Sequence, residues 1–311
     1  MTAVDEVLRR VVPDRRPVEL VRPRQGNHKE TVVARYDDRP PLVVQLSDDV
    51  GDATTEAVLL GEIVNRTAVP VPTLLAQGRV GERAYLVTEF VAGADLHERF
   101  VDLAPVRRQA VARRFGVILG TLHETFPFAS AGPVSLDSSG ALVATDRSVG
   151  ADFAQYATAC LDALPPAFDD LRGPLATAVD GVPSTRPPRL FPWDLRPGNA
   201  LLDDDDLAAV LDWGAPRSAD PALSVAKTEH LVTRWYGTDP GPLEAAFRAG
   251  YRSVRPLPEV PVAYRIAAVA CAAVDSTGAV TRPHYPERSG DDAVAIHRTW
   301  LAEWLETDAT E

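Results

Sequence analysis

Two hydrophobic periods divide the chain. From Val18 to Phe90 the apolar positions come in short, largely β-branched runs: Val18–Arg24, Thr31–Tyr36, Leu42–Leu46, Thr73–Gln77 and Ala84–Phe90. Runs of this length, broken by Gly, Pro, Asn and Asp, predict strands. The breaks fall in RQGNHKE around Gly26, at Pro40-Pro41, at Ser47-Asp48-Asp49 and at Gly78 and Gly81. One segment differs. Asp52–Arg66 spaces Ala57, Leu59, Leu60, Ile63 and Val64 as a helix does, and VPVP at 69–72 ends it because proline cannot continue a helix.

Beyond Val91-Ala92-Gly93 the helical period takes over. Pro105–Glu124 predicts a long helix with Val111, Phe115, Ile118, Leu119 and Leu122 on one face. Two more helices are expected within 151–182, and others around 219–236, 242–253, 260–275 and 291–306. The last carries a core stripe of Trp300, Leu301, Trp304 and Leu305. Leu190–Asn199 reads as a proline-flanked loop, followed by a hairpin of Ala200–Leu202 and Ala208–Leu211 whose solvated tip is Asp203–Asp206. The pattern predicts an α+β chain of two lobes. A small mixed β-sheet with one helix occupies 1–91, and a larger, mainly helical lobe occupies 92–311.

Composition narrows the function classes. The 311 residues are 45% hydrophobic, enough for a substantial core, and carry a net charge of −12. That balance argues against nucleic-acid or anionic-membrane partners held by bulk attraction. No apolar run has the length of a membrane helix, and the first sixteen residues lack the apolar core of a signal peptide, so a cytoplasmic protein is expected. Cys160 and Cys271 lie far apart without C-x-x-C spacing, which predicts neither a disulfide scaffold nor a zinc site. Lysine occurs only at 29 and 227, against 30 arginines, and 28 of the 44 acidic residues are aspartate. An acidic, Asp-rich, nearly Lys-free chain resembles cytoplasmic proteins of salt-accumulating, halophilic archaea; a GC-rich genome would also replace Lys by Arg.

The chemistry concentrates in LFPWDLRPGNALLDDDDLAAVLDWGAPRSADP, residues 190–221. Asp194 sits on a loop, Asn199 follows five residues later, and Asp212 ends the hairpin beyond it. Phosphoryl transfer needs a carboxylate at the acceptor hydroxyl and oxygen ligands that hold Mg²⁺ across the nucleotide phosphates. Competing chemistries lack their motifs: there is no H-E-x-x-H, no G-x-S-x-G and no G-x-x-x-x-G-K-[ST].

On these residues the chain resembles the aminoglycoside phosphotransferase and choline kinase-like family, which has a protein-kinase-like fold. The family hallmark is H-x-D-L-H-P-G-N followed by a strand ending I-D-W. The chain reads Pro192-Trp193-Asp194-Leu195-Arg196-Pro197-Gly198-Asn199, then Leu211-Asp212-Trp213-Gly214, then Asp220-Pro221-Ala222. TTEAVLL with Glu56, VPVPTLL, YLVTEFVAG and LGTLHE match further family segments in the same order, so the resemblance spans residues 20–235. It implies Asp194 as catalytic base, Asn199 and Asp212 as Mg²⁺ ligands, and ATP or GTP in a cleft between the lobes. Gly26 in the first turn, Glu56 on the helix and Glu89, Phe90 and Val91 at the hinge would then contact the nucleotide.

Three positions depart from the family. The first motif histidine is Pro192 and the second is Arg196, which either contacts a phosphate or the acceptor or pairs with a neighbouring carboxylate. The strand lysine or arginine expected opposite Glu56 is Gln45, with no charge to offset triphosphate. Lys29, just after Gly26, is the candidate substitute, with His28 beside it. Trp193 and Trp213 flank the proposed catalytic groups, as packing or as acceptor contacts. The resemblance implies Mg-dependent transfer of the γ-phosphate of ATP or GTP to a hydroxyl of a small molecule, bound by residues 137–185 and the C-terminal helices. The alternatives are a catalytically weak kinase-like nucleotide-binding regulatory protein and a nucleotidyl (AMP) transferase.

Overall fold

In the computed structural model, which describes residues 2–23, 29–180, 182, 186–204 and 206–309, the short apolar runs form a five-stranded sheet. Its strands are β1 (Glu19–Val21), β2 (Glu30–Arg35), β3 (Leu42–Ser47), β4 (Leu74–Val80) and β5 (Arg83–Glu89), in the order β1-β2-β3-β5-β4. Every neighbouring pair is antiparallel, so the sheet itself is not mixed; a six-residue loop joins β2 to β3 and a two-residue turn joins β4 to β5. Gly26 and His28 lie outside the described residues.

The N-terminal region carries two helices where the sequence pattern predicts one. The second is α1 (Ala3–Val11), closed by a capping box in which the Thr2 N–H donates to Asp5 Oδ2 at 2.8 Å and the Asp5 N–H to Thr2 Oγ1 at 3.1 Å. Its Val4, Val7 and Leu8 bury against Leu42, Val44 and Leu46 of β3. Side chains alternate along a strand, so Gln45 lies on the opposite face. The predicted helix is α2 (Val50–Arg66), which packs on β4 and β5. The first compact unit comprises Met1–Ala94, Val134–Val143 and Leu201–Pro216, so the hairpin 200–203/206–210 and the Asp212 loop belong largely with it. The Val210 N–H donates to Pro70 O at 2.8 Å within that unit.

The second unit holds Asp95–Pro133, Ala144–Ala200 and Arg217–Glu311. Its helices are α3 (Leu96–Arg99), α4 (Pro105–Thr125), α5 (Val149–Ala163), α6 (Asp169–Val179), α7 (Pro221–Thr233), α8 (Pro240–Arg252), α9 (Val262–Ala272) and α10 (Asp291–Asp308). Glycines set the closest approach. A Cβ on Gly116 of α4 would overlap the Phe247 carbonyl of α8, and one on Gly250 would overlap the Arg113 carbonyl, so the two backbones touch. Every residue of α7 is buried, including Lys227 and Glu229. Strands 189–191 and 217–219, absent from the sequence reading, pair antiparallel ahead of the motif loop. No described helix is long and apolar enough to cross a membrane.

Three of the six histidines gather around Trp300: His230, His297 and His284 have ring centroids 4.8, 5.3 and 6.4 Å from the indole. Neither nitrogen of His230 has a hydrogen-bond partner among the described residues. Burial pushes His230 down to about 3 and His297 down to about 4. Burial also holds His123 well below its ordinary value, between Tyr251 Oη and Ser224 Oγ at 2.7 Å each. These groups fold neutral and take up protons on unfolding. The stability they contribute is therefore complete above about pH 6.5 and falls as pH drops towards their folded values, by up to about 1.4 kcal/mol per pH unit for each histidine. Urea denaturation between pH 7.5 and 5 should show this slope, and His230→Leu should remove about one histidine's share. An unchanged slope in the variant would contradict the assignment.

Candidate functional site

In the first unit, α2 organises the acidic end of the sheet. Asp52 and Glu56 are one helical turn apart and share a face. Lys29, immediately before β2, pairs with Glu56 Oε2, and its Nζ lies 3.5 Å from Asp212 Oδ1. The loop bearing Asp212 is fastened to the same helix: the Trp213 N–H donates to Glu56 Oε1 at 3.3 Å and the Ala215 N–H to Asp52 Oδ1 at 2.6 Å. Asp212 itself has φ +59°, a left-handed conformation that aspartate tolerates better than most residues. Gly214 completes the turn, since a Cβ there would stand 3.0 Å from Asp52 Oδ2 and 3.2 Å from Lys29 Nζ.

The charges do not balance. One ammonium faces three carboxylates. Burial alone would push Lys29 down, but Glu56, Asp212 and Asp52 outweigh it and hold the ammonium above its ordinary value. Burial pushes the Glu56 carboxyl up, Lys29 opposes this, and Asp212 and Asp52 add to it. The residual negative charge suits a divalent cation. Among the described residues no three carboxylates, histidines or cysteines could enclose a metal by themselves. Mg²⁺ does not require that: it takes one or two protein carboxylates and completes its shell with water and phosphate oxygens. Asp212, whose side chain is 59% exposed, fits that demand.

The other expected nucleotide contacts are placed unevenly. Gln45 sits mid-strand in β3, between Thr31 and Leu86, and is half-buried. At the hinge, the Glu89 N–H donates to Thr73 O at 3.0 Å and the Phe90 N–H to Pro41 O at 3.2 Å. The Glu89 and Phe90 amides are thus already used by the sheet, which leaves the hinge carbonyls and the Val91 amide for the expected nucleotide contacts.

In the second unit, the motif loop begins after the buried strand 189–191 and is anchored by Leu195, which is 2% exposed. A single 3₁₀ turn at Pro197–Asn199 folds the chain back, so Asn199 Nδ2 donates to Asp194 O at 3.0 Å and to Asp194 Oδ2 at 3.1 Å. The Asn199 amide oxygen and Asp194 Oδ1 have no protein partner among the described residues. Arg196 Nε stands 2.9 Å from Asp194 Oδ2 without a well-aligned hydrogen bond, so its partner is the proposed base itself. Tyr236 is nearby; burial pushes its hydroxyl up, Arg196 opposes this, and Asp95 and Asp194 add to it. Of the two tryptophans, Trp213 is buried with its Nε1 donating to Val210 O at 2.9 Å, while Trp193 is half-buried against Tyr156 and Phe191.

Sequence reasoning missed Asp52, although its spacing to Glu56 was a readable signal. It also passed over Lys227, whose Nζ lies 3.8 Å from the Trp193 ring centroid. At Asp220 the D-P-A motif is structural: its Oδ1 caps α7, and its Oδ2 accepts from Arg186 and Tyr264 at 3.2 and 3.1 Å.

A model of the phosphotransferase enzyme family APH matches residues 19–261. Among solved structures, a thermostable mutant of aminoglycoside phosphotransferase APH(4)-Ia, in ternary complex with AMP-PNP and hygromycin B, aligns over 100% of both chains with 17% identity and a TM-score of 0.69. A candidate aminoglycoside phosphotransferase from Ralstonia eutropha JMP134 aligns over 98% of both chains with 16% identity and a TM-score of 0.64. A candidate fructosamine-3-kinase from Thermobifida fusca YX-ER1 aligns over 99% of both with 19% identity and a TM-score of 0.59. At these identities the likeness establishes the protein-kinase-like fold. No curated protein matches the chain.

The buried Lys29–Glu56 pair makes a sharp stability test. Lys29→Met strands a carboxylate whose side chain is 3% exposed, which should cost about 3–5 kcal/mol. Adding Glu56→Gln to it should recover a large part of that loss. Denaturant unfolding of the two single variants and the double variant measures the coupling; simple additivity would show that the pair is not formed.

Proposed function

Because the chain belongs to the phosphotransferase enzyme family APH, we propose that it moves the γ-phosphoryl group of ATP or GTP, with Mg²⁺, onto a hydroxyl of a small molecule. The observation that carries this reading is the Asp194–Asn199 arrangement. Asn199 engages one oxygen of the Asp194 carboxylate and leaves Oδ1 open to accept a proton. In the proposed reaction, Asp194 Oδ1 receives the proton of the acceptor hydroxyl as that oxygen attacks phosphorus. Asp212 and the Asn199 amide oxygen are the residues that would hold Mg²⁺. When bound, the ion neutralises charge on the transferring phosphoryl group. Lys29 does the work that a strand lysine would do at position 45: Glu56 orients its ammonium and the phosphates accept from it. Val91 offers the remaining hinge amide.

The contact between Arg196 and Asp194 favours a second reading, a kinase-like nucleotide binder with weak turnover, since the guanidinium occupies one oxygen of the proposed base. AMP transfer is the third outcome on the same fold. Incubation with Mg·ATP or Mg·GTP and a panel of hydroxyl-bearing small molecules separates them. ADP or GDP with a phosphorylated acceptor is the expected result; pyrophosphate with a nucleotidylated acceptor, or nucleotide binding without product, would replace it. Asp194→Ala should lower transfer by about 10²–10⁴-fold and leave Mg-nucleotide affinity nearly unchanged. Undiminished transfer would remove Asp194 from the role of base.

A further inference from the structure

A cavity of about 330 Å³ opens in the second unit between α7, α8, α9 and the loop 253–261. That volume lies within the roughly 300–1,000 Å³ that small-molecule sites occupy. Its apolar wall is Val225 of α7, 1% exposed, with Leu257, Pro258 and Val260 of the loop. Val225 and Glu229 line it from α7. Lys227, midway between them in sequence, lies about 200° around the helix and packs its Nζ 3.8 Å from the Trp193 ring centroid. The cavity and the loop that carries Asp194 therefore lie on different sides of α7.

Three guanidiniums line this space, Arg248 and Arg252 from α8 and Arg265 from α9. Glu229, buried beneath them, fixes two: it accepts from Arg248 Nε and Nη2 at 2.6 and 3.1 Å and from Arg265 Nη1 at 2.7 Å. The Trp304 ring holds Arg265 further, with its centroid 4.9 Å from the guanidinium carbon. Arg248 Nη2 also donates to Glu244 at 3.3 Å, a carboxylate that Arg234 Nε meets at 2.9 Å. These bonds leave Arg248 Nη1 and Arg265 Nη2 without a protein partner among the described residues. Arg252, exposed on the last turn of α8, has no carboxylate within ion-pair distance among them either. Glu259 of the loop, also exposed, is the other carboxylate on the lining. Three positive charges thus stand against two negative ones, and the planar guanidinium is the side chain best shaped to hold a carboxylate.

We propose that this cavity is a binding site for a small organic monoanion, a carboxylate on a short hydrocarbon body, separate from the loop that carries Asp194. Arg252 and the free donors of Arg248 and Arg265 are the groups that would donate to the carboxylate. The hydrocarbon body takes the place of water against Val225, Leu257, Pro258 and Val260. The single excess positive charge sets the preference: one negative charge balances the lining, a neutral analogue leaves it unbalanced, and an amine adds to the imbalance.

Titration calorimetry of the full chain with hexanoate, 1-hexanol and hexylamine tests this. Hexanoate should bind at a single site with a Kd below about 1 mM, and the matched alcohol and amine should show no saturable binding in the same range. Arg252→Gln, which leaves the bonds to Glu229 intact, should weaken hexanoate about tenfold. Leu257→Trp, which fills the cavity from its loop, should abolish the binding. Asp194→Ala should bind hexanoate as the wild type does, so the result is independent of whether the chain transfers phosphate. The proposal is overturned by a wild type that does not bind hexanoate, by equal binding of 1-hexanol or hexylamine, by binding that either Arg252→Gln or Leu257→Trp leaves unchanged, or by its loss in Asp194→Ala.

Discussion

A carboxylate buried on a helix must be answered by a cation, and Glu56 is such a carboxylate. At 2% exposure it holds three things in place: the Lys29 side chain, the backbone of Trp213 and, through that backbone, the turn that presents Asp212. Removing an ion from water costs more than a single attraction at the surface returns, so the pair persists only where geometry and extra hydrogen bonds compensate. Here the extra bonds come from the very loop that carries the proposed metal ligand. The charge that orders the fold and the charge that would meet nucleotide phosphates are therefore parts of one arrangement.

The second unit obeys the same constraint repeatedly. Glu229, 2% exposed on α7, receives both arms of Arg248 and one of Arg265, with distances of 2.6, 3.1 and 2.7 Å. Asp152, 1% exposed, is met by Arg217 and Arg147, and Asp220 by Arg186 and Tyr264. Arginine suits these places because its planar fork can satisfy a carboxylate with two bonds and resists neutralisation. Lys227 departs from this scheme: it is 4% exposed, has no carboxylate at ion-pair distance among the described residues, and packs its Nζ on the Trp193 ring.

Much of this was legible in the sequence. The β2, β3 and β5 strands, the helix with Glu56 and the D-x-x-x-x-N spacing follow from local patterns, and the family match over residues 19–261 agrees with them. What local patterns do not carry is long-range contact. α1 is short and its capping box ends in Asp5 rather than Glu, so no strong local pattern announces it. The strands at 189–191 and 217–219 have three residues each and form by long-range pairing, with 217–219 lying between 189–191 and Gly132-Pro133. The direction of Lys29, the choice of Asp194 by Arg196, and the use of the Glu89 and Phe90 amides by the sheet are all decided by partners distant in sequence or by loop closure. The cysteines show this most plainly: they are more than a hundred residues apart in sequence, while helix packing places both in one core cluster.

The central claim is that Lys29 supplies the charge missing at Gln45. Its most direct test is the thermal midpoint with and without Mg·ATP and Mg·GTP for the wild type, Lys29→Met and Gln45→Ala, each against its own ligand-free value. Nucleotide at a hundred times its dissociation constant stabilises the folded chain by about 2.7 kcal/mol. The expected result is a rise in the wild type and in Gln45→Ala that is largely lost in Lys29→Met. A rise that survives in Lys29→Met and disappears in Gln45→Ala would contradict the account and return the phosphate contact to β3.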